Sequence, residues 1–262
     1  MAAGILRAGG LVAFPTETVY GLGARAYDAS AARLIYKAKG RPSDNPLIVH
    51  VADEAMLADV VKRVTPLARR LMDAFWPGPL TLILEKSARV PGAVTAGGRT
   101  VAVRCPGHPA ARALIRALGE PIAAPSANIS GRPSPTTAAH VLRDLRGRVA
   151  LILDGGPCRK GLESAIVDAR ARRPIVLRHG TLTGEAISRA AGVPLGAVGP
   201  CAPVAPGTRH RHYAPTCRVI LVSPALVRRG APAGLSAAGA GLVHRAPWPG
   251  RRPAFAVRVR GA

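Results

Sequence analysis

A short apolar run that stops at a proline and passes at once into a cluster of hydroxyls constrains this chain more than any other feature. Leu11 to Phe14 has the length and character of a buried strand. Pro15 ends it, Thr16-Glu17-Thr18-Val19-Tyr20 follows, and Gly21 and Gly23 close the segment. It reads as a strand delivering a polar loop, the usual way a rigid sheet presents ligand-binding groups. By its own chemistry the loop could equally be a structural turn.

The pattern continues along the chain. Ser30–Lys39 carries Ala31, Leu34, Ile35 and Ala38 at the spacing of one helical face, with Ser30 placed to cap it. Strands are expected at Leu47–Val51, Thr81–Glu85, Thr100–Arg104, Pro121–Ala124, Val149–Asp154, Ser164–Asp168 and Pro174–Arg178. Helices are expected at Asp53–Val64, Pro66–Phe75, Pro109–Leu118, Thr137–Leu145 and Thr183–Ala191, with Gly119 and Gly192 as stops. This mixture predicts an α/β or mixed α+β fold: an open sheet flanked by helices, with ligand groups on loops at strand ends.

After Gly192 the character changes. Pro194 to Pro215 is a linker rich in Gly and Pro, Arg218–Val222 reads as one strand, and the remainder is Ala, Gly, Arg and Pro with weak periodicity. That tail is too short and irregular to hold its own core. The expected division is 1–192, a linker over 193–216 and a remnant over 217–262.

At 262 residues, 48% of them apolar, the chain suits one large domain with a small appendage. Cys105, Cys158, Cys201 and Cys217 form neither a CxxC pair nor a metal-ligand cluster, which fits a reducing cytoplasm. No leader and no membrane span is expected. The formal net charge of +23 points to a polyanionic partner, a nucleotide or tRNA. Arginine outnumbers lysine 32 to 5, however, and a GC-rich reading frame would give the same bias.

There is no GxxxxGK[ST], no GxGxxG opening a helix, no HExxH and no GxSxG. A nucleotide site must be built differently. Lys39 and Arg41 flank Gly40 just after a helix. Arg41 can hold a phosphate through paired N–H donors and Lys39 can act as a mobile point charge. The same cations could merely complement the helix C-terminus. Ser126 and Asn128 offer a hydroxyl and an amide for phosphate oxygens or an adenine edge, or else form an ordinary turn. Arg104 and His50 end strands, where a carboxylate substrate would want an arginine, although His50 could be structural. Ser164 and Arg178 also lie at strand ends.

Taken in order, Phe14-Pro15-Thr16-Glu17-Thr18-Val19-Tyr20-Gly21, Lys39-Gly40-Arg41-Pro42, Asn45-Pro46-Leu47-Ile48-Val49-His50, Pro125-Ser126-Ala127-Asn128 and Gly161-Leu162-Glu163-Ser164 resemble the YrdC-type threonylcarbamoyl-AMP synthase family, over roughly residues 9–185. The resemblance implies a twisted open sheet with a basic concave face. It implies an enzyme that joins L-threonine, bicarbonate and ATP into threonylcarbamoyladenylate and pyrophosphate. A partner transferase then uses the product on an adenosine of tRNA. It implies a threonine site at Thr16, His50, Arg104 and Ser164, with Ala124 contributing backbone. It implies an ATP site at Lys39, Arg41, Asn45, Thr100, Ser126, Asn128, Ser134 and Arg178. Longer members add a linker whose His-Tyr-Ala-Pro motif, here His212 to Pro215, folds over the site, so that Tyr213 closes the pocket. Those members then carry a Rossmann-like domain, whose opening strand only Arg218–Val222 resembles here.

Positioning and charge neutralisation are expected to supply most of the rate, with Mg2+ held by the ATP phosphates and no protein metal site. The chain departs from the family at Ala165, where threonine is usual, and at His179, where proline is usual. Two other functions fit parts of the pattern: a carbamoyl-adenylate-forming module of a carbamoyltransferase, and a non-catalytic module that binds double-stranded RNA or tRNA.

Overall fold

The computed structural model describes residues 1–199 and 202–208. All of them fall within one compact unit, Met1–Tyr213. Tyr213, the His-Tyr-Ala-Pro motif, the strand expected at Arg218–Val222 and the tail lie outside the described residues.

Among the described residues, nine strands form one mixed sheet: β1 (Val12–Phe14), β2 (Gly21–Arg25), β3 (Ile48–His50), β4 (Leu80–Glu85), β5 (Thr100–Arg104), β6 (Ile122–Ala124), β7 (Leu151–Ile152), β8 (Ala165–Asp168) and β9 (Ile175–Arg178). Their spatial order is β7-β1-β2-β6-β3-β5-β4-β8-β9. The β1–β7, β3–β5 and β4–β8 pairs are parallel and the others antiparallel. The helices are α1 (Ala2–Arg7), α2 (Ala29–Lys39), α3 (Glu54–Leu57), α4 (Pro66–Phe75), α5 (Gly92–Thr95), α6 (Pro109–Leu118), α7 (Ala138–Leu145) and α8 (Gly184–Ala191).

The two sheet faces are treated differently. On one, Val49, Leu82, Leu84, Val101, Val103 and Val167 join a continuous core with the buried sides of α2, α4, α7 and α8. On the other, α1 and α6 cover only the half containing Val12, Phe14, Ile122 and Ala124. The alternation of β-strand side chains then turns Ile48 and His50, Thr100, Ala102 and Arg104 towards the half of this face that no helix among the described residues covers. Residues 202–208 lie here, with Ala205 buried against Ile48, Ile83, Ala102 and Ile166.

Local chemistry explains where the expected elements moved. Asp28, not Ser30, caps α2: its carboxylate accepts from Ser30 N at 2.8 Å and Ala31 N at 3.0 Å. Leu34, expected on the buried side of α2, is exposed. The helix expected over Asp53–Val64 is the single turn α3. Beyond it Lys62 N donates to Glu85 O and Ser87 N to Val60 O, so the chain runs beside the end of β4. The strand expected over Val149–Asp154 shortens to β7. β2 is an addition, because Gly21 and Gly23 were read as ending a loop. They are strand residues: a Cβ on Gly23 would lie 2.8 Å from both Phe14 and Ile122, so glycine lets β1, β2 and β6 pack closely.

Candidate active site

A cleft opens on the partly uncovered face where the Thr16–Gly21 segment, β3, the end of β5, the Ala124–Asn128 turn, Glu163–Ser164 and Arg178 converge. Its water-accessible interior is about 50 Å³, and the space it bounds together with its open mouth is about 600 Å³.

The hydroxyl loop is held from inside. Thr16 Oγ1 donates to Val19 O at 2.7 Å and accepts from Thr18 N and Val19 N. The fully buried Tyr20 donates its OH to Gly156 O at 2.8 Å, which fixes the glycine turn at 155–156 against it. Arg104, 4% exposed, donates from Nε to Gly78 O at 3.2 Å and from Nη2 to Glu17 Oε1 at 2.6 Å. His50 contacts Ile48 O through Nδ1 at 3.2 Å and stands edge-on to Phe14. Burial, reinforced by the Arg104 charge, pushes its pKa down to about 3, against a smaller upward pull from the Ile48 and Ile122 carbonyls. It is therefore a neutral ring at physiological pH. Ser164 Oγ is hydrogen-bonded to Thr81 Oγ1 at 2.7 Å and accepts from Arg178 Nη2 at 3.2 Å.

The other side of the cleft is a set of clasps. Lys39, 1% exposed, donates from Nζ to Ser126 O, Asn128 O and Asn128 Oδ1. Burial, with Arg41 nearby, drives the pKa of this ammonium well below its usual value. Three N–H groups meet three acceptors, so Lys39 is not the mobile point charge its position after the helix suggested. Ser126 Oγ donates to Asn128 Oδ1, while Asn128 Nδ2 donates to Ile129 O and Arg132 O, each at 2.8 Å. Arg41 bridges Asn45 O at 3.1 Å and Pro46 O at 2.9 Å. Asn45 Oδ1 accepts from Gly207 N at 3.0 Å, and Arg178 Nη1 donates to Pro206 O at 3.1 Å. Ser134 Oγ donates to the Glu163 carboxylate.

Of the residues expected from sequence, Thr16, His50, Arg104, Ala124 and Ser164 line the cleft together, as do Arg41, Ser126, Asn128, Ser134 and Arg178. Lys39 and Asn45 are buried but are not among the lining residues. Thr100 lies on the Arg104 face of β5 but four residues away, about 13 Å along the strand. There it lines a second hollow with Asp44, Arg99, Arg170 and Pro203. Thr18, Arg132 and Glu163 line the cleft without having been singled out. Thr18 and Glu163 sit inside motifs already quoted. Arg132 follows the Ser126–Asn128 turn but gives no sequence signal of its own.

Comparison with known proteins agrees with this geometry. Residues 4–180 match the family described as Sua5_yciO_yrdC, telomere recombination. The threonylcarbamoyl-AMP synthase of Pyrococcus abyssi is 50% identical over 227 residues, 85% of this chain and 67% of that protein. The Bacillus subtilis protein of the same name is 51% identical, over 82% of this chain and 64% of its own length. The crystal structure of P. abyssi Sua5 complexed with L-threonine superposes with a TM-score of 0.82 at 49% identity, covering 87% of this chain and 69% of that one. The chain belongs to the Sua5/YrdC family, and it spans about two thirds of the length of these relatives.

Proposed function

We propose that this chain makes L-threonylcarbamoyladenylate and pyrophosphate from L-threonine, bicarbonate and ATP, as a nucleotidyltransferase of the cytoplasm. The adenylate would supply a transferase that modifies an adenosine of tRNA. The observation that carries this reading is the buried guanidinium of Arg104 beside Thr16, His50 and Ser164 at one end of the cleft. A half-identical relative is bound to L-threonine in its crystal structure.

In this reading Arg104 takes the threonine carboxylate, since a planar fork suits a carboxylate edge. The threonine amine, once deprotonated, adds to CO2 and gives up a proton, or attacks bicarbonate and expels water, to give a carbamate. A carbamate oxygen then attacks the α-phosphorus of ATP, and pyrophosphate leaves. His50, neutral at working pH, adds no second charge beside the carboxylate. Arg41 and Arg178 lie where phosphate charge would gather, and the Ser126–Asn128 turn brings backbone close to the nucleotide. The donors in the cleft are mainly guanidinium, amide and hydroxyl groups, which suit phosphate oxygens. Glu163, the one carboxylate among the lining residues, is hydrogen-bonded by Ser134. Mg2+ would accordingly be carried by the ATP phosphates and water.

Pyrophosphate release tests the proposal. It is expected only when ATP, threonine and bicarbonate are all present. Release that ignores threonine would favour the carbamoyl-adenylate module, and no release would leave a binding module.

A further inference from the structure

Glu17 is an acidic side chain beside a cleft lined by Arg41, Arg104, Arg132 and Arg178, with Glu163 as the carboxylate among the described lining residues. It lies on the hydroxyl loop, between two threonines that line the cleft, yet it is absent from the lining itself. Its carboxylate reaches the segment after β5. There Oε1 accepts from Arg104 Nη2 at 2.6 Å and Oε2 accepts from Gly107 N at 2.9 Å. The pair is buried, with side-chain exposures of 4% for Arg104 and 12% for Glu17. The loop backbone is pinned as well: Lys160 N donates to Glu17 O at 2.9 Å and Gly161 N to Thr18 O at 3.1 Å.

We propose that Glu17 is the positioning residue of the substrate site, orienting the Arg104 guanidinium so that its remaining N–H groups meet a substrate carboxylate. This rests on the reading of that end of the cleft as the threonine site. A guanidinium has five N–H donors in one plane. Gly78 O and Glu17 take two of them, on Nε and Nη2, which fixes both the plane and its rotation. The rest of the fork is left for a ligand. A buried arginine without a counter-ion would otherwise turn towards backbone carbonyls or solvent. Gly107 N completes the arrangement by holding the second carboxylate oxygen, so Glu17 itself cannot swing into the cleft.

A double-mutant cycle separates this role from general stabilisation. Glu17→Ala is expected to raise the threonine KM about ten- to a hundredfold, the size of a lost charge-assisted contact, while the ATP KM stays within about twofold. In an Arg104→Ala background the same change is expected to leave the threonine KM where Arg104→Ala alone has put it. Glu17→Gln keeps the shape but sets an amide N–H against Arg104 or Gly107 N–H. It is expected to fold and to show an intermediate loss of threonine affinity by calorimetry, which decides the matter if the alanine variant does not fold. An unchanged threonine affinity in either folded variant, additive effects in the double variant, or equal rises in both KM values would overturn the proposal. Calorimetry needs no turnover. If wild-type protein binds threonine but releases no pyrophosphate, the catalytic reading fails while the positioning role is still measured. If it binds no threonine, the site assignment itself is wrong.

Discussion

The two sides of the cleft are built on different terms. On the Arg104 side, polar groups sit at the ends of strands and one ion pair organises them. On the Lys39 side, the cations grip backbone: Lys39 holds the Ser126–Asn128 turn and Arg41 holds Asn45–Pro46, while Arg178 ties Ser164 of the first side to Pro206. A small substrate with one carboxylate needs a few rigid side chains. A nucleotide spreads over more surface, and loops held in shape can meet it with backbone as well as side chains. The difference implies that mutations on the first side act on binding and, where they break the Arg104–Glu17 pair, on stability, and on the second side on the shape of the nucleotide loops as well.

Lys39→Met tests this hardest. It removes an ammonium with three acceptors and takes the Lys39 donor from the Ser126 and Asn128 carbonyls, while Asn128 Oδ1 keeps its bond from Ser126, at a cost of about 2–4 kcal/mol. The apo protein is expected to melt at lower denaturant and the ATP KM to rise, with the threonine KM little changed. If Lys39 instead met phosphate alone, the apo protein would be as stable as wild type and only the ATP KM would move. Arg104→Ala comes next. It should weaken threonine use by about 1.5–3 kcal/mol and leave ATP binding near wild type. Threonine kinetics at wild-type values would remove Arg104 from the site.

How much of this was legible in the sequence depended on the kind of interaction. α4, α6 and β5 fall at the expected bounds because proline starts, a glycine stop and strand alternation are local signals. β2 was not legible: Gly21 and Gly23 are small because of Phe14 and Ile122, contacts that no local pattern encodes. α3 was overextended because Val60 and Val61 have helical spacing but pack beside the end of β4. In the site, strand-end residues such as Arg104, His50 and Ser164 were readable from position. That Lys39 points inward was not, because its acceptors lie almost ninety residues away in the chain. Glu17 lay in plain view within the first motif, and only its partners, Arg104 and Gly107, reveal its work.

His50 sharpens the comparison through pH. In the unfolded chain a histidine takes up a proton near pH 6.5, whereas here protonation waits until about pH 3. Between those values the unfolded state binds more protons, so acid destabilises the fold and stability is recovered as pH rises. From pH 7.5 to 5.5 this single group should cost about 1–1.5 kcal/mol. Urea melts of wild type and His50→Gln should converge by that amount as pH falls. Parallel curves would mean that His50 titrates in the folded state as it does in the unfolded chain, and diverging curves that it is already charged in the fold.

The smallest effect expected is that of Arg41→Lys, and it probes the geometry of one clasp. Arg41 spans two successive carbonyls, Asn45 O from Nε and Pro46 O from Nη2, and the same side chain lines the cleft. An ammonium keeps the charge but cannot place donors on both carbonyls in one plane. The loss should be about 1 kcal/mol, seen as a several-fold rise in the ATP KM with threonine unaffected. Arg41→Ala should weaken ATP further, because charge and bridge go together. If lysine restores ATP use fully, charge alone matters at this position, and the Lys39 side of the cleft would then work as the Arg104 side does, by direct contact with its ligand. If lysine and alanine are equally poor, the bridge to Asn45 and Pro46 is what the nucleotide site requires, and the contrast between the two sides holds down to a single guanidinium.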